Sequence, residues 1–119
     1  MLRVGLIGLG IMGRGLAKNI LDAGFPLAAY DQKPDLIAAQ AERGAVAASS
    51  IAHLVTQSDV VITCLPSLSS IREVYLGPGG LAETGEADTT AVDCSTSTPD
   101  LAKDIGAVLE ARGIDFLDA

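Results

Sequence analysis

Val4-Gly5-Leu6-Ile7-Gly8-Leu9-Gly10-Ile11-Met12-Gly13 is the stretch that decides the fold. The apolar run from Leu2 to Ile7 reads as a short parallel strand buried on both faces. It ends in glycines at G-x-G-x-x-G spacing, a weak signal alone. Its place here, after a strand and opening a helix, is what dinucleotide binding requires. Gly8 allows the tight turn, Gly10 the close approach of a pyrophosphate, and Gly13 the contact of helix on strand. The helix runs from Ile11 to Ala23, with Met12, Leu16, Ile20 and Leu21 on one side and Arg14, Lys18, Asn19 and Asp22 on the other. Gly24 supplies its left-handed stop. Main-chain amides at the start of this helix, at the positive end of its dipole, bind phosphate without a lysine. The competing reading is a glycine turn that only packs.

The same alternation continues outward. Leu27–Tyr30 is a second strand, a helix opens at Pro34 and runs to Arg43 with Gly44 ending it, and Ala45–Ala48 is a short third strand. A helix over about Ser50–Gln57 precedes Val60–Leu65, which is β-branched, uninterrupted and the strongest strand signal in the chain. A helix over about Ser69–Tyr75 leads into the turn-rich Gly77-Pro78-Gly79-Gly80, then a strand at Thr90–Asp93. Thr98-Pro99-Asp100 opens a long helix with a cap, an N1 proline and a first-turn acid; it stops at Gly113, and Ile114–Leu117 is a sixth strand. Strands alternating with helices predict one doubly wound, Rossmann-type α/β domain over residues 1–119, its parallel sheet covered on both sides.

The chain has 119 residues, 8 Lys+Arg against 15 Asp+Glu, and a net charge of −7. One domain of ordinary size fits that length. The acidic balance, with no run of Lys or Arg, argues against nucleic acid or an anionic membrane as partner. No apolar stretch approaches the ~18 residues of a membrane span, and the start lacks a signal-peptide pattern. Hydrophobic residues make up 49% but aromatics only 3%, so Ala, Val, Leu, Ile and Gly must build the core. Cys64 and Cys94 are too few and too far apart in sequence for a disulfide framework or a zinc site. They read as buried, inert thiols of a reducing compartment, by default the cytoplasm.

Candidate site residues gather at strand ends. Asp31 closes the second strand, 18 positions after Gly13; an acid there accepts from the adenosine ribose hydroxyls and repels a 2′-phosphate, favouring NAD over NADP. Lys33, two residues on, pulls the other way by screening a phosphate. The fourth strand should neighbour the first across the topological switch point, so Leu65-Pro66 at its carboxyl end lines the crevice. Pro66 offers no N–H, which leaves apolar contacts and carbonyls for a ribose or nicotinamide. Ser95 and Thr96 put two hydroxyls on the same rim, either for a ligand or for capping the helix at Thr98-Pro99. His53 reads as an exposed or core-edge imidazole, and Arg14 and Lys18 as a solvated helix face.

These residues resemble the amino-terminal signature of the β-hydroxyacid dehydrogenases, of the 3-hydroxyisobutyrate dehydrogenase and tartronate semialdehyde reductase type, with 6-phosphogluconate dehydrogenase a more distant relative. The resemblance runs through Val4–Gly13, Ala17–Gly24, Tyr30-Asp31 with Pro34, Leu65-Pro66, Gly77–Leu81, Asp93-Cys94-Ser95-Thr96 with Pro99, and Gly113–Ala119. It implies that Gly8, Leu9, Gly10, Ile11, Met12 and Gly13 hold the pyrophosphate and Asp31 the ribose. It places Leu65, Pro66 and Thr96 against the nicotinamide half and Ser95 at the substrate edge. Ser70 stands where relatives often carry an asparagine that reaches the cofactor, so that contact is weakened. Family members continue into a substrate loop and an all-helical domain bearing a catalytic lysine; Lys18, Lys33 and Lys103 do not match it. No catalytic residue of the family is therefore expected in this stretch, which is read as truncated before that domain.

The resemblance implies the cofactor domain of an oxidoreductase that moves hydride between NAD and a small β-hydroxyacid or its semialdehyde, inactive by itself. A homo-oligomer, with self-association through the last helix and sixth strand, goes with it. Two other readings remain open: a non-catalytic nucleotide-sensing or docking module, since fold does not dictate chemistry, and an NADPH-dependent relative such as an imine reductase.

Overall fold

Period-two alternation in short, apolar strands sends consecutive side chains to opposite faces of a sheet, and two separate cores result. The computed structural model describes residues 1–119. Six strands, β1 (Val4–Ile7), β2 (Leu27–Tyr30), β3 (Val46–Ala47), β4 (Val60–Thr63), β5 (Thr90–Asp93) and β6 (Asp115–Asp118), form one sheet in the order β3-β2-β1-β4-β5-β6. Every pairing is parallel. The order reverses between β1 and β4, as expected, and a crevice opens outside the carboxyl ends of these two strands.

Val4, Leu6, Leu27 and Ala29 face one core with Leu9, Ala17 and Ala45; α1 (Ile11–Asp22) and α2 (Pro34–Glu42) cover it through Leu16, Ile20, Leu36 and Ile37. Ile7, Ala28, Val61 and Ala91 face the other, under α3 (Ile51–Thr56), α4 (Leu68–Leu76), α5 (Leu81–Thr84) and α6 (Pro99–Glu110). The aliphatic core expected from composition is there, with Tyr75 as its largest fully buried side chain. The long last helix shows why its sequence folds that way. Thr98 Oγ1 accepts from the Leu101 amide at 3.3 Å, Pro99 stands in the first turn, and Leu101, Ile105 and Leu109 bury one stripe. Each of those side chains stabilises the fold by about 2 kcal/mol. Arg3 pins the start of β1 to Asp59 before β4, with N–H to Oδ2 at 2.9 Å and Nη2 to Oδ1 at 3.0 Å. The guanidinium holds the Asp59 carboxyl below its ordinary range. The pin therefore acts above the usual aspartate range and loosens as pH falls through the lowered value.

One detail corrects the sequence reading and a second refines it. The stretch after Gly80 forms the short helix α5, which turn residues gave no reason to expect. The sheet is also not covered equally on both sides. The crossover helix α3 and the three helices after it pack on the same face, so beyond β4 the opposite face carries none. Ile62, Val92 and Leu117 stand in one register row across β4, β5 and β6 on that face, and Leu117 is 58% exposed. The physical reason is the reversal itself: α1 and α2 can dress only the half of the sheet that precedes it.

Candidate active site: a cleft at the switch point

A cleft of about 680 Å³ lies where the strand order reverses. Gly8, Gly10, Ile11, Met12 and Gly13 form one wall; Asp31 and Lys33 close one end, and Leu65, Pro66, Ser70, Ser95 and Thr96 the other. Residues that follow four separate strands, β1, β2, β4 and β5, thus converge. Leu9 is the one candidate outside the lining. Its side chain is fully buried in the core under α1, and its amide donates to Asp31 Oδ2 at 2.8 Å.

The three glycines differ in what they need. Gly8 has φ +102°, and a Cβ there would stand 2.1 Å from the Cys64 carbonyl oxygen. A Cβ on Gly13 would stand 1.9 Å from the Gly8 carbonyl oxygen, so α1 lies directly on the end of β1. Around Gly10 there is nothing within 4 Å, and its backbone is in the ordinary extended region. As N-cap of α1 it has no side chain to offer, and the amides of Gly10, Ile11, Met12 and Gly13 find no acceptor in the protein. No acid stands in this first turn, whereas α2 and α6 carry Asp35 and Asp100 there. A dipole end left uncompensated and open to a cleft is an anion site in waiting.

Asp31 is held from two sides, by the Leu9 amide on Oδ2 and the Lys33 amide on Oδ1 at 2.9 Å. An ionised carboxylate has about four acceptor positions; two are taken, and two remain for hydroxyl donors. Arg14 does not enter the cleft; its Nε turns back to the Gly10 carbonyl at 3.4 Å. Lys18 pairs with Asp22 at 2.6 Å on the helix surface.

At the far end, Ser95 does not cap the following helix. Its hydroxyl oxygen accepts the Leu65 amide at 2.8 Å, tying the loop after β5 to the loop after β4. Thr98 makes the cap instead. Ser70 lines the cleft, but its hydroxyl is committed to a capping box, accepting from the Ser67 amide at 3.1 Å and donating to the Ser67 carbonyl at 2.9 Å. His53 sits at the core edge, its Nδ1 accepting from the Ser49 amide at 3.0 Å.

Cys64 and Cys94 follow the paired ends of β4 and β5 and line the cleft half-buried, which corrects the expectation of buried thiols. The strands that carry them end at the crevice, so burial is incomplete. Burial still raises both, Cys64 further through Cys94 and Asp93 beside it and Cys94 through Asp93. A raised value means less thiolate at any given pH. Alkylation by iodoacetamide at neutral pH should be slower than that of a free cysteine, climb as pH rises past the ordinary thiol range, and reach the free rate on unfolding. Fast labelling of the native chain at neutral pH would contradict this.

Sequence reasoning missed a buried set behind the cleft. Tyr75 Oη lies 2.6 Å from Thr63 Oγ1, which donates to Asp93 Oδ1 at 2.9 Å; the Ser95 amide donates to the same oxygen at 3.0 Å. The available signal was two polar residues ending otherwise apolar strands, which parallel register brings side by side on one face.

The model for the NAD binding domain of 6-phosphogluconate dehydrogenase matches residues 3–119. Mitochondrial 3-hydroxyisobutyrate dehydrogenase of Mus musculus is 39% identical over 116 residues, which are 98% of this chain and 35% of that enzyme. Among solved structures, Mycobacterium tuberculosis 3-hydroxyisobutyrate dehydrogenase with L-serine is similar at TM-score 0.90 and 29% identity, over 100% of this chain and 40% of the other. Psf3 in complex with NADP+ and 2-OPP is similar at TM-score 0.91 and 28% identity, over 95% and 40%. The chain thus spans little more than a third of the mouse enzyme.

Proposed function

The chain belongs to the family of NAD-binding domains represented by 6-phosphogluconate dehydrogenase, and from that premise we propose that it is the cofactor half of a β-hydroxyacid dehydrogenase of the 3-hydroxyisobutyrate type. The observation that carries the reading is the set of open amides at the start of α1, facing a cleft whose opposite end holds an anchored carboxylate. The space beside Gly10, which a Cβ would fill, fits a diphosphate at the backbone. Gly8, Gly10, Ile11, Met12 and Gly13 would hold that group. Leu9 would contribute by fixing Asp31, whose free acceptor positions suit the two hydroxyls of an unphosphorylated ribose. Leu65, Pro66 and Thr96 would border the nicotinamide half, with Ser95 toward the substrate. Ser70 is a weaker contact, because its hydroxyl already serves the α4 cap.

When bound, the nicotinamide supplies the hydride chemistry; this domain orients it and shields one of its faces. A lysine in a following helical domain would act as general acid/base on the hydroxyl or carbonyl oxygen of a small β-hydroxyacid. Residues 1–119 form the dinucleotide-binding domain of that assembly. The complete protein is read as a homo-oligomer of a reducing compartment, the cytoplasm by default.

Calorimetric titration of the full chain with NAD and with NADP tests the reading. NAD should bind, NADP about tenfold more weakly, and Asp31→Ser should narrow that gap by weakening NAD. Silence toward both coenzymes would overturn the assignment. Preference for NADP would instead favour an NADPH-using relative such as an imine reductase, the reading that Lys33 at the cleft end and the NADP+ complex of Psf3 support.

A further inference from the structure

The buried line behind Leu65 has a defined direction. A carboxylate oxygen can only accept, so Thr63 donates its hydroxyl proton to Asp93 Oδ1. Tyr75 must then be the donor in the 2.6 Å contact with Thr63. From Asp93 the line passes to the Ser95 amide, and the Ser95 hydroxyl oxygen accepts the Leu65 amide. With that oxygen engaged, the Ser95 hydroxyl proton is left to donate toward the cleft.

Three of these groups are removed from water: Thr63 and Tyr75 are 0% exposed and Asp93 1%. Apolar residues of the same shape would fold as well here, because a buried hydrogen bond adds little net stability over an apolar replacement of both partners. A satisfied buried network does fix geometry. One end of this one is anchored in the core, where Tyr75 is wedged edge-on against Phe116 with ring centroids 5.4 Å apart; the other end, the Leu65 amide just before Pro66, lies at the cleft.

We propose that Tyr75, Thr63 and Asp93 are positioning residues for the nicotinamide half of the cofactor, a buried relay that sets Ser95 and, through it, the Leu65-Pro66 wall. The proposal rests on the cleft being the cofactor site. Neither the Tyr75 hydroxyl nor the Leu65 amide bonds to the opening turn of α1 or to Asp31, so the relay acts chiefly on the nicotinamide half of the ligand.

The test compares NADH with ADP-ribose, which lacks the nicotinamide, on the full chain. Thr63→Val combined with Tyr75→Phe removes both hydroxyls by apolar isosteres; Asp93 Oδ1 loses one donor and keeps the Ser95 amide, so the melt should fall by about 5–10 °C while the chain stays folded. Its NADH dissociation constant should rise about tenfold while that for ADP-ribose stays within about twofold. The blue shift of nicotinamide fluorescence on binding should shrink with it. Asp93→Asn keeps an Oδ1 acceptor and should retain most of the NADH affinity. Tyr75→Phe alone, the milder change if the double variant does not fold, should weaken NADH about threefold and spare ADP-ribose. Equal losses for both ligands, or none for either, would overturn the relay while leaving the cofactor site standing. If the parent chain binds neither ligand, the cofactor reading falls and takes the relay with it.

Discussion

Gly10→Ala is expected to leave the thermal melt of the chain within about 2 °C and to weaken NAD binding by about tenfold to a hundredfold. The first half follows from an empty surround: no atom lies within 4 Å of the new Cβ, and the backbone is one that alanine adopts. Alanine is a poorer N-cap than glycine by about half a kcal/mol, but it lowers the entropy of the unfolded chain by a similar amount. The second half follows from the proposed role of that space. A methyl group would hold an anion away from the amides of Ile11, Met12 and Gly13, and charge-assisted bonds weaken steeply with distance. Circular dichroism and calorimetry on one preparation separate the two effects. Unchanged affinity would mean that the diphosphate lies elsewhere.

Gly8→Ala and Gly13→Ala should do the reverse and attack the fold itself. Gly8 combines φ +102° with a Cβ position 2.1 Å from the Cys64 oxygen, and Gly13 would push its Cβ to 1.9 Å from the Gly8 oxygen. These obstacles are backbone atoms just past the ends of β4 and β1, which cannot rotate aside as a side chain would. The carboxyl end of β4, the turn at Gly8 and the first turn of α1 are stacked with no slack. Each substitution should cost about 3 kcal/mol or more and lower the melting temperature by more than about 10 °C. That is a large share of the ~5–15 kcal/mol that holds a domain of this size together. Denaturant unfolding gives the number, and an unaltered midpoint for either variant would show that the turn can relax. Together the three glycines separate binding from packing within a six-residue motif.

Much of this was legible in advance because local chemistry and tertiary role agree. The glycine spacing, the β-branched run at Val60–Thr63 and the Thr98-Pro99-Asp100 opening each fix an element whatever surrounds them. Strand β4 beside β1 followed from the reversal of order. The alternatives left open at Ser95 needed coordinates, because both a cap and a loop tie use the same hydroxyl. Tyr75 was unreadable for a related reason. One aromatic on a short amphipathic helix says nothing of what its hydroxyl meets, and its partners Thr63 and Asp93 are 12 and 18 positions away. Burial drives its phenol far above the usual range, against the smaller opposing effect of the Thr63 bond, so it works only as a neutral donor. The uneven dressing of the sheet escaped because alternation of strand and helix counts the helices without saying which face each one takes.

That unevenness gives the two ends of the cleft different neighbours. Asp31 closes a strand wedged between helix layers above and below, so its carboxylate answers mainly to its own domain. Leu65 and Ser95 follow strands whose far face is dressed only at Ile62, which packs on the core under α1, and carries no helix at Val92 and Leu117. Any body that came to rest on that bare half would lean on the strands behind Leu65 and Ser95 and scarcely touch the end closed by Asp31. Under the proposed function, a following domain that rested there would act first on the nicotinamide end of the cofactor.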